Sequence, residues 1–263
     1  KRQQEQANTI LSLSEVLSET TQGDLSARVN TEEWSEEFVT IGLAINTLIE
    51  SLEYNVAEFK NAIDRFNKIK EVSTTLLAER DLKKVFEKII ESACKLTDSE
   101  LGWLLLADEK KEYYTVKAVY GRAQEMKDYQ MRLDGCVVGK CIINRESIIA
   151  GNYTLKPGKN IIPAKVIKEG KVRDSETVID YTVATELKIG TVLGIPIIAD
   201  GEPIGTVTCY NKGGVKLGEK VDVQPQYTQD DVEMVNLLSV YAGIGIATTS
   251  YIDELRKREA TIS

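Results

Sequence analysis

The stretch GTVLGIPIIADGEPIGTVTCYN, residues 190–211, decides the fold of this chain. Two apolar runs, Thr191–Ala199 and Pro203–Asn211, flank the dipeptide Asp200-Gly201. Asp-Gly between two strand-like runs is a strong short-range signal for a tight hairpin turn. The sequence therefore predicts two adjacent antiparallel strands here.

Further strands are predicted on the N-terminal side of this hairpin. The apolar run Leu101–Ala107 is followed by five charged residues, and apolar and polar residues then alternate up to Tyr120, which predicts a second hairpin. Ser147–Ala150 is predicted as a short strand. Gly121–Asp134 is polar and predicted to be partly helical.

Helices are predicted between and around these strands. Asp81 is a candidate N-cap for a helix over Leu82–Leu96, and Thr228 is a candidate N-cap for a last helix that runs to the end of the chain. A short helix is expected to begin near Val137. The order of helices and strands predicts an α+β fold with a mainly antiparallel sheet.

One long segment carries turn signals instead of a clear period. Tyr153–Ser175 contains Pro157-Gly158, Pro163 and several lysines, and is predicted as a loop. Glu176–Leu187 has weak helical character. Neither segment is predicted to add a strand.

Composition limits the function classes. The chain has 263 residues, a formal net charge of -8, four cysteines and no histidine. Without a dense basic stripe, nucleic acid is not expected as a partner, and without histidine or a CxxC pair no metal site is expected. Free thiols indicate a reducing compartment, so we expect a cytoplasmic location. The chain begins at Lys1 without a visible leader, so we expect it to be part of a longer protein, whose membrane anchor, if any, lies upstream.

The first 80 residues are dominated by helix. Gln4–Thr21 has apolar residues at helical spacing and ends at Gly23, and a second helix begins after Ser35 and continues without Pro or Gly over Leu43–Arg80. Apolar residues in the second helix alternate steps of three and four from Ile45 to Leu76, which is typical of a coiled-coil seam.

The last helix carries a second seam of the same kind, from Met234 to Leu255. Uninterrupted seams favour a parallel homodimer, although stripes that pack within one chain remain the alternative. The residues that we assign to the dimer seams are Leu48, Leu52, Phe59, Phe66, Leu237, Ile244 and Tyr251.

The beginning of the chain resembles the HAMP family. The connector GDLSARV, residues 23–29, is followed by EEFVTIGLAIN, residues 36–46, and by the step Ile45-Asn46-Thr47-Leu48. The chain departs from the family pattern because it has no proline near the start of the first helix and because Val-Thr separates Glu37-Phe38 from Ile41-Gly42. The resemblance implies a signal-relaying helical unit over residues 1–52.

Residues 80–255 resemble a GAF domain. The resemblance rests on four pieces, which are residues 133–149, 190–197, 201–211 and 227–238. It implies a central antiparallel sheet flanked by helices, with a small-molecule pocket on one face covered by Gly151–Leu187. The predicted domains are thus 1–52, HAMP-like; 53–80, coiled-coil helix; 81–247, GAF-like sensor; and 248–263, an exit helix towards an effector.

The cysteines are the chemical candidates of the predicted pocket. Cys136 precedes the helix expected at Val137, where the helix dipole favours a thiolate, and Cys141 follows five residues later, a spacing that does not favour a disulfide between the two. Either thiol is a candidate for redox chemistry or for ligation of haem or a bilin. The more common role of such a cysteine is that of a small buried hydrophobe.

Aromatic residues are the other pocket candidates. Trp103 and several tyrosines at strand spacing are candidates to line a pocket, while core packing is the more common role of such residues. Together with the two cysteines, the tyrosines that we assign to the ligand pocket are Tyr120 and Tyr153.

A weaker resemblance concerns the end of the second hairpin. Asn211-Lys212, followed by Tyr227 and Asp231, is similar to the Asn-Lys-Phe-Asp-Glu signature of cyclic-nucleotide GAF domains. Tyr replaces Phe, and Val232 stands where Glu is expected. We therefore favour a strand end and a helix cap.

These patterns predict a sensory input and relay region that binds a small ligand and passes a helix rearrangement through a dimeric coiled coil to an effector domain in the same chain, as in sensor kinases and other two-component signalling proteins. The alternative is a haem-binding or thiol-redox sensor that uses a GAF cysteine, although no cofactor is the simpler expectation. No catalytic motif occurs in a suitable context, so no enzyme is expected.

Overall fold

The structure is a computed structural model that describes residues 2–32, 34–78, 81–132, 136–151, 153, 155, 161–219 and 224–262. It divides into two compact units, Lys1–Asn67 and Lys68–Ser263. No helix in these ranges is both long and apolar enough to cross a membrane.

The first unit is built from two helices and the connector between them. Helix α1 spans Arg2–Thr21, and helix α2 begins at Glu36 and runs to Ala78. Val16, Val29 and Ile49 form its small buried core. Because Val29 belongs to the connector, the polar segment between the helices is anchored by an apolar side chain as well as by the hydrogen bonds of Asn46.

Asn46 binds both backbone groups of Val29. Its side-chain oxygen accepts a hydrogen bond from the Val29 N–H at 2.8 Å, and its side-chain nitrogen donates to the Val29 carbonyl at 2.9 Å. Val29 is buried and lies outside any strand, so its backbone groups need such partners. The step Ile45-Asn46-Thr47-Leu48 thus has a structural role within this unit.

The predicted seam of α2 faces outward within one chain. Phe59 is 68% exposed and Phe66 is 66% exposed. Leu48 and Leu52 of the same helix are exposed as well. In the last helix, the seam residues Leu237 and Ile244 are also exposed. Tyr251 lies in the last helix, but its side chain is outside the described residues. The seam stays a prediction, since a single chain shows no partner.

The second unit is an eight-stranded antiparallel sheet with helices on both faces. The strand order is β3-β2-β1-β8-β7-β4-β5-β6. The strands are β1 Ser99–Ala107, β2 Tyr113–Tyr120, β3 Gln130–Arg132, β4 Ser147–Ala150, β5 Ile161–Lys168, β6 Lys171–Val178, β7 Val192–Ala199 and β8 Glu202–Lys212. The helices are α3 Leu82–Leu96, α4 Val137–Asn144, α5 Tyr181–Glu186 and α6 Gln229–Ile262.

Alternate side chains of the strands build two cores. Leu104, Leu193 and Val207 lie in a cluster with α3 and α6, whereas Leu101 and Ile148 lie on the opposite face with α4 and α5. The period of two along a strand produces this division. The α+β class and the antiparallel sheet predicted from the sequence are confirmed.

The hairpin predicted around Asp200-Gly201 is confirmed. Strands β7 and β8 pair antiparallel, and Asp200 and Gly201 have φ values of 50° and 78°. Positive φ at both central residues is the geometry of the tight turn that suits twisted strands. The predicted strand pair β1 and β2, strand β4, the Asp81 cap of α3, the Thr228 cap of α6 and the start of α4 at Val137 are likewise confirmed.

The loop predicted over Tyr153–Ser175 is wrong in its second half. Residues 161–178 form the hairpin of β5 and β6, with Glu169 and Gly170 at φ 50° and 74° in its turn. Ile162, Ala164 and Val166 alternate towards the core while the lysines face outward. This alternation was present in the sequence, but proline and lysine concealed it. Weak helix was predicted from Glu176, whereas β6 continues to Val178 and helix begins only at Tyr181. In the stretch predicted as partly helical, the 3-10 helix Gln124–Met126 confirms the prediction in part, and β3 follows it as an unpredicted strand.

Candidate functional site

A cavity opens on the face of the sheet that carries α4 and α5. It encloses about 440 Å³, part of it open to solvent. Its walls come from six strands, the start of α4, and α5 with its flanking residues. The lining residues are Trp103, Tyr114, Met131, Cys136, Val137, Val138, Val178, Ile179, Asp180, Val183, Ile189, Val192 and Tyr210.

Helix α4 is held close against the sheet. A Cβ atom on Gly194 in β7 would lie 2.8 Å from Cys141 Sγ and 3.1 Å from Val137 Cγ1, so only glycine leaves room for the helix. The backbone of Cys136 also pairs with that of Val178 at the end of β6. These contacts bring the start of α4 and the end of β6 to the same side of the cavity.

A buried polar network positions the segment that carries Ile189. The side chain of Asn211, which is fully buried, accepts a hydrogen bond from the Gly190 N–H at 2.7 Å and donates to the Lys188 carbonyl at 3.2 Å. It also donates to Glu100 at 2.7 Å, and Glu100 accepts from Arg122 at 2.9 Å. Asn211 therefore fixes both neighbours of Ile189, which lines the cavity.

Two aromatic rings form part of the cavity wall. The ring centroids of Trp103 and Tyr210 are 4.9 Å apart, and their planes are inclined by 59°. Trp103 is 2% exposed, yet its indole Nε1 has no hydrogen-bond partner among the described residues. A buried donor without an acceptor is costly, which sets this atom apart from the other polar groups of the residues that line the cavity.

The hydroxyl of Tyr114 contacts two sulfur atoms. This hydroxyl donates to Met131 Sδ at 3.3 Å and lies 3.8 Å from Cys136 Sγ. Burial raises the pKa of Tyr114, and burial also raises the pKa of Tyr210. Both phenols are therefore neutral at physiological pH.

The cavity continues outward into a more polar compartment. This outer space of about 830 Å³ shares Tyr114, Cys136 and Asp180 with the inner cavity and adds Gln130 and Arg132 from β3. The carboxylate of Asp180 accepts a hydrogen bond from the Val183 N–H at 3.0 Å and so caps α5. The inner part is apolar and aromatic, and the outer part is charged.

Of the four residues that the sequence assigned to the ligand pocket, Cys136 lines the cavity, and Cys141, Tyr153 and Tyr120 are not among its lining residues. Cys136 lines the cavity and caps α4, since its sulfur accepts from the Gly139 N–H at 3.4 Å. Cys141 belongs to α4 and is fully buried between this helix and the sheet, where burial raises the pKa of its thiol. Tyr153 packs against the same core and donates to the Ile189 carbonyl at 2.7 Å, whereas Tyr120 packs against the cluster on the other face of the sheet.

Several lining residues were missed by the sequence argument. Val178, Ile179, Asp180 and Val183 lie where the sequence was interpreted as weak helix. The available signal was Asp180 as an N-cap ahead of Val183, which follows the pattern of a helix start. All four cysteines are free thiols, and no cluster of three metal-ligating side chains occurs among the described residues.

The residues of the weak cyclic-nucleotide resemblance have structural contacts. Asn211 holds the segment 188–190, and Lys212 pairs with Asp231 at 2.7 Å. Lys212 also lies over the ring of Tyr227, 5.5 Å from its centroid. The favoured interpretation as strand end and helix cap is confirmed, and an ion pair in addition joins the two.

An antiparallel sheet with helices on both faces, and an apolar cavity between one face and its two short helices, defines a small α+β domain of the ligand-binding kind. The chain belongs to the GAF family, because the family model for the GAF domain matches residues 79–247. GAF domains are ligand-binding sensory domains of signalling proteins.

Solved structures show the same fold at low sequence identity. The GAF domain of a phosphoenolpyruvate-protein phosphotransferase from Coxiella burnetii is 15% identical with a TM-score of 0.56, and 74% of this chain aligns with 99% of that one. The corresponding Acinetobacter domain is 12% identical with a TM-score of 0.51, covering 71% and 95%. The phycoerythrobilin-bound GAF domain of a cyanobacterial phytochrome is 9% identical with a TM-score of 0.51, covering 73% and 99%. No curated protein sequence matches the chain significantly.

Proposed function

We propose that this chain is the sensory input and relay region of a signalling protein such as a two-component sensor. A small molecule binds in the cavity beneath α4 and α5, and a homodimeric coiled coil carries the resulting helix rearrangement to an effector domain elsewhere in the same chain. The observation that carries the proposal is the cavity itself, with its neutral aromatic lining and an unsatisfied Trp103 N–H.

Contacts through the sheet supply a route from the cavity to the last helix. Val192 at the start of β7 lines the cavity. At the other end of β7, the backbone of Ile198 lies so close to Gly243 of α6 that a Cβ atom there would collide with the Ile198 carbonyl. A shift of β7 on ligand binding therefore moves α6, and a ligand that prefers one arrangement selects it.

The exposed apolar seams support the homodimer. A pair of exposed phenylalanines on one face of α2, together with Leu48 and Leu52, leaves a stripe that water solvates poorly. On α6, Leu237 and Ile244 are exposed in the same way. A second copy of the chain, carrying the same stripes in parallel register, covers both.

The first 52 residues act as a HAMP-like relay in this proposal. The support is the pair of hydrogen bonds that ties Asn46 in α2 to Val29 in the connector, together with the buried contact of Val16 and Ile49 between the two helices. Such a unit has two helices whose relative packing a signal can alter.

We assign the chain no catalytic step and no nucleic-acid partner, in keeping with its net charge of -8. The free thiols support a cytoplasmic location. The protein to which the chain belongs can still be anchored in a membrane through another segment.

Native mass spectrometry of the purified protein tests the ligand. We expect a bound small molecule whose occupancy falls in Val183→Phe, which fills the cavity from α5, and stays unchanged in Thr182→Phe, which adds the same ring at the exposed neighbouring position. Hydrogen exchange of α6 and α2 should then differ between the bound and the stripped protein. Exchange that is identical in both would contradict the relay.

A second candidate function is supported by the position of Cys136. Its sulfur lies on the cavity wall, half-buried, and accepts a backbone N–H at the start of α4. This is the environment of a thiol-redox sensor. Because Cys136 is the one cysteine among the described lining residues, a haem held by thiolate in this cavity would use the same sulfur.

Peroxide treatment followed by trapping of sulfenic acid tests the redox form, and the visible spectrum of haem-reconstituted protein tests the haem form. Both signals should disappear in Cys136→Ser and persist in Cys141→Ser. A protein that shows neither signal excludes this candidate.

A further inference from the structure

We propose that the inner cavity selects an uncharged, flat aromatic or heteroaromatic molecule that accepts a hydrogen bond from the indole N–H of Trp103. This inference rests on the proposed function, since it names the class of molecule that the same cavity binds. Four features of the cavity support it: a buried indole N–H without a partner, aromatic side chains in the wall, described lining residues that include no cationic side chain, and a polar exit.

The indole N–H of Trp103 is a buried hydrogen-bond donor without a partner among the described residues. The indole nitrogen of Trp103 donates hydrogen bonds and accepts none, and at 2% exposure the side chain has almost no contact with water. Its Nε1 finds no acceptor within the part of the chain that the structure describes. A ligand with an acceptor at this point removes the cost of the unpaired donor, while a ligand without one leaves the cost in place.

The shape of the walls favours a flat molecule. The tilted pair of Trp103 and Tyr210 forms one wall, with Tyr114 beside it on β2. Aliphatic side chains, including Val137 and Ile189, also line the cavity. A planar ring in this cavity gains stacking or edge contacts from the aromatic side chains and dispersion contacts from the aliphatic ones.

The charge of the lining selects against anions. No lysine or arginine appears among the described residues of the inner cavity, and the charged member is the carboxylate of Asp180 at its rim. Tyr114 and Tyr210 are neutral because burial raises their pKa. An anion entering this cavity would lose its hydration without gaining a cationic partner.

A polar substituent has a route outward. The inner and outer spaces meet at Tyr114, Cys136 and Asp180, and the outer space is bordered by Gln130 and Arg132. The Tyr114 hydroxyl donates to a thioether, which is a weak acceptor. A substituent oxygen or nitrogen on the ligand is a better acceptor and would take this hydrogen bond.

Two probes that differ in one atom test the inference. Quinoline has a ring nitrogen that accepts a hydrogen bond and is unprotonated at pH 7.5, whereas naphthalene has nearly the same shape without an acceptor. In equilibrium dialysis against the full chain, stripped of any co-purified compound, we expect quinoline to bind about five- to tenfold more tightly than naphthalene. We expect 2-naphthoate, an anion of similar shape, not to bind.

Variants locate the effect. In Trp103→Phe, which removes the N–H and keeps an aromatic ring, the preference for quinoline should disappear. Tyr120→Phe removes a polar hydrogen from an aromatic residue on the other face of the sheet and should leave the preference unchanged. If Trp103→Phe does not fold, the indole N–H resonance of Trp103 in the unmodified protein, assigned with Trp34→Phe, should shift downfield with quinoline and not with naphthalene.

Equal affinities for the two probes, or a preference that survives in Trp103→Phe, would overturn the inference and leave the cavity as a ligand site. Failure of both probes to bind the folded protein would also overturn it. The proposed function is judged separately by the co-purified compound and the Val183→Phe variant. The two failures can therefore be told apart.

Discussion

The ammonium nitrogen of Lys212, at the end of β8, lies 2.7 Å from a carboxylate oxygen of Asp231, in the first turn of α6. The same carboxylate accepts the Thr228 N–H at 2.7 Å, and Lys212 also donates to the Thr97 carbonyl at 3.2 Å. The two side chains are 20% and 5% exposed. The pair therefore fastens the last helix to the sheet at a point largely shielded from water.

Removal of one charge should destabilise this unit. In Asp231→Asn the Lys212 ammonium stays partly buried without its counter-charge, and we expect the free energy of unfolding to fall by about 2 to 3 kcal/mol. Urea denaturation followed by circular dichroism measures the change. The double variant Lys212→Met, Asp231→Asn should recover part of the loss because no charge is left buried.

The control is an exposed ion pair in the same unit. Arg145 and Glu202 lie 2.8 Å apart and are 49% and 58% exposed. Arg145→Gln should cost less than about 1 kcal/mol, since water screens such pairs. An equal cost for both single variants would mean that burial of the Lys212 pair is not what stabilises the helix.

The hydrogen bonds of Asn46 should control the connector of the first unit. Asn46→Ala leaves both backbone groups of Val29 without their partner, so we expect the unit to lose about 1 to 3 kcal/mol and the Val29 amide to exchange faster. Asn55→Ala, at an exposed position of the same helix, should change stability by no more than about 0.5 kcal/mol. Unchanged exchange at Val29 would show that the connector is held by other contacts.

The dimer seam of α2 can be tested by charge. Phe59→Glu with Phe66→Glu places four like charges on the facing stripes of two helices, and we expect a monomer in sedimentation equilibrium. Ala57→Glu with Asn61→Glu adds the same charges on the opposite side of the helix, at exposed positions, and should leave a dimer. A dimer that survives the first pair would contradict the seam.

The reactivity of the thiols should follow their burial. Cys94, Cys141 and Cys209 are at most 1% exposed, whereas Cys136 is half-buried on the cavity wall. Thiol titration with Ellman's reagent should therefore give one fast-reacting group in the folded chain and four in denaturant. Cys136→Ser should remove the fast group. A fast phase that remains would assign it to one of the buried thiols and contradict the packing.

Stability should fall at alkaline pH. Burial raises the pKa of Cys141 above its ordinary value of 9.0, and burial together with the neighbouring Cys209 raises the pKa of Cys94 in the same way. The folded chain keeps protons that the unfolded chain releases, so this contribution is complete below about pH 8 and is lost as the pH rises above 9. Each thiol contributes up to about 1.4 kcal/mol per pH unit.

Denaturation midpoints between pH 7 and pH 10 measure this loss. The double variant Cys94→Ala, Cys141→Ala should show a smaller decrease of stability over the same range, whatever its stability at pH 7. A decrease as steep as in the unmodified chain would assign the pH dependence to other groups, such as the buried tyrosines.

Local patterns predicted the elements whose signals lie within a few residues. The Asp200-Gly201 turn, the Asp81 cap and the start of α4 after Cys136 were all found because turn and cap chemistry is local. The hairpin of β5 and β6 was missed, since Pro163 and outward-facing lysines suggested a loop. The core-facing alternation from Ile162 to Val166 shows its meaning only when a neighbouring strand is known.

The cavity depended on contacts between distant segments. Cys136 was found because the sequence predicts the helix that starts directly after it, but Tyr120 faces the opposite core and Cys141 is buried between α4 and the sheet. Which face a strand side chain occupies depends on pairing register, and a shift of one residue reverses it. The register that points Trp103 towards the cavity is set by its partners Val119 and Thr208.

The sequence by itself determined the α+β class, the Asp200-Gly201 hairpin turn, the Asp81 and Thr228 helix caps and the long apolar stripes, because each is encoded by residues along a single segment. Only the tertiary structure decided that Trp103, Cys136 and Asp180 share one cavity and that Asn211 holds Ile189 in its wall. These residues are separated by tens of positions, and strand pairing and helix packing, which no local period encodes, bring them together.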